Sequence, residues 1–109
     1  MSEYIEPQEL ALRLADPNPP LLVDVRIGQV GHIPSAVHVP VLDLEDEPRE
    51  WERDRDIVVF CQFGKGASEY AAEVLEEQGF QHVLKLRGGM DGWNAYLSGW
   101  AKRRFRDKT

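Results

Sequence analysis

Three apolar runs, each the length of one buried strand, set what this chain can fold into. They are LLVDV (Leu21 to Val25), IVVF (Ile57 to Phe60) and HVLKL (His82 to Leu86). Runs this short and this continuously apolar suit strands covered on both faces. After the second run, Ala67, Tyr70, Ala71, Val74 and Leu75 recur at helical spacing, and Gly79 stands where a helix C-cap would. PQELALRLA (Pro7 to Ala15) reads as another helix, with Pro7 in its first turn and Leu10, Ala11 and Leu14 on one face. DPNPP (Asp16 to Pro20) stops it. GHIPSAVHVP (Gly31 to Pro40) reads as a turn, a short strand at Ala36 to Val39 and a second breaker. Beyond the turn RGGMDGW, a last helix is expected near Asp91 to Ser98, ending around Gly99. Strands alternating with helices predict an α/β fold, a small parallel sheet with helices on both faces.

A chain of 109 residues is enough for one core, so a single domain is expected over 1–109, with a basic tail fraying from about 101. No apolar run approaches the roughly 20 residues of a membrane helix. MSEYIEPQEL is acidic and lacks an apolar signal segment, and a lone cysteine cannot close an internal disulfide. A cytoplasmic location and no membrane partner are therefore expected. Thirteen Lys and Arg against 19 Asp and Glu give a net charge of −6, which argues against general nucleic-acid binding. The charge is uneven. Asp43 to Asp56 (DLEDEPREWERDRD) is acidic and reads as a solvated loop. Lys102, Arg103, Arg104, Arg106 and Lys108 crowd the tail, which is either solvated or a docking element for an acidic partner.

The chemistry centres on Cys61. In a parallel sheet, sites form where a strand hands over to a helix, and Cys61 lies at such a handover. Backbone N–H groups of the loop and helix start can converge there on an anion, and the same field favours the nucleophilic thiolate. In QFGKGAS (Gln62 to Ser68), Gly64 and Gly66 let the loop curl, and Lys65 adds a positive charge toward an anionic substrate. The competing reading makes Cys61 a small core filler, since free cysteine is often buried. GKGAS is not a nucleotide P-loop, because the upstream glycine is missing at the required spacing. His32, His38 and His82 show no finger-like spacing with Cys61, so no metal or other cofactor is expected. A Cys–His hydrolase would need a histidine beside Cys61, and the sequence places none there. Asp24, an acid inside an apolar strand, needs a partner if buried, and Arg26 is the nearest candidate.

Taken together, these segments resemble a single-domain rhodanese-like sulfurtransferase. LLVDVR (Leu21 to Arg26) resembles that family's Asp-Val-Arg strand, and GHIPSAVHVP its Gly-His-Ile-Pro-Gly-Ala segment. IVVFC (Ile57 to Cys61) resembles the strand delivering the catalytic cysteine. EEQGFQHVLKLRGGMDGWNAY (Glu76 to Tyr96) resembles the closing strand, Gly-Gly turn and last helix. The resemblance implies that Cys61 takes the outer sulfur of a small anionic donor such as thiosulfate, becomes a persulfide, and passes the sulfur to cyanide or to a small or protein thiol. Gln62 to Ser68 would form the anion-binding loop, with Asp24 and Arg26 supporting it.

Two departures from the family pattern stand out. Only Ile27, Gly28, Gln29 and Val30 separate Arg26 from Gly31, where the family usually carries a glutamate and a short helix. Counting back from Gly79, the cysteine loop is one residue longer than the usual six, with Ala67 where an arginine often stands and Ser68 where a serine falls. A longer loop resembles that of dual-specificity phosphatases and arsenate reductases, although those enzymes need the arginine that is missing here. Such an oxyanion enzyme is the second reading. A non-catalytic interaction module on the same fold is the third. Phe63 either lines the pocket mouth or packs inward.

Overall fold

The computed structural model describes residues 3–28, 31–46 and 50–106, with side chains described up to residue 99. The elements run β1 (Glu3–Ile5), α1 (Pro7–Leu14), β2 (Leu21–Asp24), β3 (Val37–His38), α2 (Val41–Asp46), β4 (Asp56–Phe60), α3 (Ala67–Glu77), β5 (His82–Leu86) and α4 (Gly89–Arg106). The five strands form one sheet in the order β1-β5-β4-β2-β3, and every pairing is parallel. β4 lies at the centre, with Leu22 opposite Val58 on one side and Leu84 opposite Val58 on the other.

Side-chain alternation along the strands divides the core. Val23, Val25, Ile57, Val59 and Val83 face α2 and α3, where they meet Val41, Leu44, Ala71, Ala72, Val74 and Leu75. Leu22, Val58, Phe60 and Leu86 face α1 and α4, where they meet Leu10, Met90 and Trp93. A strand buried on both faces carries a polar residue only where it finds a partner, which is why β2 and β4 read as apolar runs with Asp24 the single buried acid. The expected small parallel sheet with helices on both faces is the observed architecture.

The local signals act as the sequence suggests. Pro7 occupies the first turn of α1, where its missing N–H costs no helical bond. α3 closes at Gln78, and Gly79 takes φ +96°, the left-handed conformation that glycine adopts without strain.

Several boundaries need correction. The strand expected over Ala36 to Val39 is only Val37–His38: Ala36 is drawn back into the preceding turn by its bond to the Ile33 carbonyl at 3.1 Å, and α2 begins at Val41. The helix expected to stop around Gly99 runs to Arg106. A single glycine inside a helix is tolerated at a cost of about 1 kcal/mol and does not end it. The first part of the expected frayed tail, 101–106, is therefore helical, and 107–109 lie outside the described residues. The acidic stretch expected as a loop from Asp43 instead begins inside α2. Its first-turn Asp43 sits favourably at the helix start, and Leu44 is fully buried.

The outer edge of the sheet is closed by β1. Tyr4 lies against both Lys85 and Arg87, with the cationic groups 4.3 and 4.5 Å from its ring centre. Arg87 also bonds to Glu6 through its Nε, and both side chains are about half exposed.

Candidate active site

The alternation that places Ile57 and Val59 toward α3 carries one residue further, to Cys61, which is 5% exposed at the rim of that face. The chain then turns through Gln62 to Gly66 and enters α3 at Ala67. Gly64 and Gly66 take φ of +79° and +73°. At Gly64 there is also no room for a side chain, since a Cβ would come within 2.7 Å of the Gly88 amide nitrogen. A Cβ on Gly89 would overlap the Cys61 carbonyl oxygen and press on the Gly64 nitrogen at 2.6 Å. The cysteine loop and the turn before α4 thus pack backbone against backbone.

That contact orients the loop's peptides. The amide of Met90 donates to the Cys61 carbonyl at 2.8 Å, and the amide of Asp91 donates to the Gln62 carbonyl at 3.0 Å. In a trans peptide the C=O and N–H point in opposite directions, and there is no cis bond here. Drawing both carbonyls toward α4 therefore turns the N–H groups of Gln62 and Phe63 away from it. Among the described residues, none of the amides from Gln62 to Gly66 donates to a backbone carbonyl. Amides without a backbone partner, in a loop at the start of a helix, are suited to cradle an anion.

The Cys61 thiol lies 3.2 Å from the Lys65 carbonyl oxygen and 3.3 Å from the Ser68 hydroxyl. Ser68 is fully buried in the first turn of α3. As a thiol, Cys61 donates. As a thiolate it can only accept, and the Ser68 hydroxyl can rotate to supply the proton. Ser68 therefore accommodates both states of the sulfur.

Beneath the loop sits a buried ion pair. Asp24 is fully buried at the end of β2, and Arg26 is 6% exposed. Arg26 Nη2 lies 2.8 Å from Asp24 Oδ2, and its Nε reaches Asp24 Oδ1 at 3.0 Å, a two-point contact. The remaining donors extend the network. Nη2 also reaches the Gly31 carbonyl at 2.9 Å, and Nη1 reaches Gln62 Oε1 at 2.9 Å. The Gln62 amide then donates to Asp91 Oδ1 at 2.6 Å. The hydrogen bonds that Arg26 donates to Asp24 hold it above the ordinary arginine range. Burial opposes that shift, while the charges of Asp24 and Cys61 add to it.

The structure joins Asp24 and Arg26 to the loop through Gln62, and Cys61 to Lys65 and Ser68. Phe63 is 66% exposed and does not pack inward. Lys65 is also exposed, and Ala67 is half-buried. His38 is occupied elsewhere, with Nε2 2.6 Å from the Arg26 carbonyl oxygen. Among the described residues, no group of three or more His, Cys, Asp or Glu is arranged to hold a metal ion. In the shortened segment after Arg26, Ile27 and Gly28 form a bend, while Gln29 and Val30 lie outside the described residues. Sequence reasoning missed Gly88, Gly89 and Asp91 as parts of the site. Their signal was the paired glycine immediately before a helix, which marks close backbone approach.

Comparison with known proteins agrees with this geometry. The family model for the rhodanese-like domain matches residues 6–96. A sulfurtransferase from Allochromatium vinosum is 39% identical over 97 residues, covering 85% of this chain and 89% of the relative. The thiosulfate sulfurtransferase GlpE of Pseudomonas syringae pv. syringae is 40% identical over 76 residues, covering 67% of this chain and 71% of the relative. Among solved structures, the rhodanese-like domain of the Anabaena sp. Alr3790 protein superposes with a TM-score of 0.76 at 31% identity, covering 88% of this chain and 76% of that one. With its sheet order, its strand-end cysteine and a family match over residues 6–96, this chain belongs to the rhodanese-like domain family.

Proposed function

We propose that the chain is a sulfurtransferase that carries sulfur as a persulfide on Cys61. The observation that carries this reading is the cradle itself. A single cysteine stands at the end of the central strand, followed by a loop whose amides make no backbone hydrogen bond and backed by a buried hydroxyl. The Cys61 thiolate attacks the terminal sulfur of a donor. A bond forms from Sγ to that sulfur, the donor's own S–S bond breaks, and the bonding pair leaves with the remainder of the donor. The persulfide anion then rests among the amides of Gln62 to Lys65, with Ser68 donating from below. A second nucleophile, a thiol or cyanide, takes the outer sulfur and regenerates the thiolate. Asp24 and Arg26 do not touch the reacting atoms; they fix Gln62 and through it the shape of the loop.

Hydrolysis of a phosphate or reduction of an arsenate is not favoured. Residues 61–68 contain no arginine, so a tetrahedral dianion would lack its two-point partner. The decisive experiment incubates the protein with excess sulfane-sulfur donor and records the intact mass. Wild type is expected to gain one sulfur atom and Cys61→Ser none. An equal gain on both, or no gain on wild type, refutes the persulfide reading.

A further inference from the structure

The charges around the cradle discriminate among sulfur donors, given the sulfurtransferase reading above. Arg26 carries a positive charge beneath the loop, but Asp24 matches it at 2.8 Å, and Gln62 and Gly31 take further donors. Gln62 is in turn held to Asp91 at 2.6 Å, which places a carboxylate on the α4 side of the cradle. Residues 61–68 contribute one cationic side chain, the exposed Lys65. Lys65 offsets Asp91, Arg26 offsets Asp24, and an ionised Cys61 adds a further negative charge. A small dianion entering here meets the loop amides but no net positive charge from these side chains, and repulsion grows with each charge it carries.

Apolar surface is available instead. Phe63 presents an aromatic ring that is 66% exposed on the same loop as the nucleophile, and the neighbouring cradle position Ala67 is apolar and half-buried. An aromatic face at such a position gives contact area to an apolar substituent.

We propose that Cys61 draws its sulfur from monoanionic organic donors, R–SO2–S⁻ or R–S–S⁻, whose apolar R group rests on Phe63, in preference to the thiosulfate dianion. The step balances without an oxidant or reductant. The Cys61 thiolate bonds to the terminal sulfur, the donor S–S bond breaks, and its electron pair leaves as the sulfinate R–SO2⁻ or the thiolate R–S⁻. Two negative charges stand on each side, and Cys61 is left as the persulfide anion.

The test measures kcat/KM with cyanide as acceptor for thiosulfate, methanethiosulfonate and benzenethiosulfonate. Each value is divided by the rate of the same donor with a free small thiol, to remove intrinsic reactivity. In wild type, benzenethiosulfonate should lead and thiosulfate should trail, about tenfold apart, the scale of burying a few carbon atoms. Phe63→Ala should bring the benzene and methane donors together. Asp91→Asn keeps the acceptor for Gln62 but removes a charge, and it should raise thiosulfate relative to both thiosulfonates. The proposal is overturned by thiosulfate matching or exceeding the organic donors in wild type, by an unchanged benzene-to-methane ratio in Phe63→Ala, or by an unmoved thiosulfate ratio in Asp91→Asn. Failure of all three donors to load sulfur on Cys61, read by intact mass, removes the sulfurtransferase reading itself, and this proposal with it.

Discussion

Two regions of the molecule set an arginine, a carboxylate and an aromatic ring together and put them to different ends. Under the cradle, Arg26 pairs with Asp24 and lies 5.7 Å from the Phe60 ring, with its side chain 5% exposed and that of Asp24 fully buried. At the outer edge of the sheet, Arg87 pairs with Glu6 and lies 4.5 Å from the Tyr4 ring, but these side chains are 57% and 47% exposed. Water screens the outer pair, so it contributes little beyond covering the edge of β1. The inner pair has lost its water. Every donor of Arg26 must then be matched by protein, and matching them ties β2, the Gly31 turn and the cysteine loop together. Burial, more than residue type, turns a salt bridge into a support.

The sharpest way to break this contrast is to remove one carboxylate. Asp24→Ala strands a buried guanidinium and should cost about 3–5 kcal/mol in urea unfolding, because an uncompensated buried charge is left behind. A loss below about 1 kcal/mol would mean that the inner pair is no different from the outer one. Because its hydrogen bonds to Asp24 hold Arg26 above the ordinary arginine range, the stability that comes from that raised value is fully present below the ordinary range and is lost as pH rises through the raised one.

The glycines extend the contrast. Gly89→Ala forces a methyl into the Cys61 carbonyl and the Gly64 nitrogen at φ +58°, and should cost roughly 1–3 kcal/mol while slowing sulfur loading of Cys61. Gly99, on the outer half of α4, has nothing within 4 Å of where a Cβ would stand. Gly99→Ala should therefore stabilise the protein, by up to about 1 kcal/mol in the same measurement. The smallest effect belongs to the outer pair. Arg87→Ala should cost roughly 0–1 kcal/mol, with a difference from wild type that shrinks in high salt.

Elements with a repeating signal were legible from sequence. β2, β4 and β5 announce themselves as apolar runs because they are covered on both faces, and α1 and α3 through helical periodicity. β1 was not legible: it has three residues, and it is a strand only because β5 offers it an edge. α2 hid inside an acidic stretch, since only Val41 and Leu44 of its six residues are buried. In the site, Cys61 was legible from its place at a strand end, and Asp24 with Arg26 from a lone acid in an apolar run. The link from Gln62 to Asp91 was not, because it joins residues 29 apart with no shared period. Nor does any local pattern reveal that the carbonyls of Cys61 and Gln62 are held from α4.

That last feature has a consequence for the order of events in synthesis. The ribosome makes Cys61 about thirty residues before it makes Met90 and Asp91, whose amides turn the loop's peptides. A nascent chain that has just released β5 holds the whole sheet and its cysteine, but not yet the hydrogen bonds that shape the cradle. The loop beside Cys61 is therefore shaped last, when the closing helix docks.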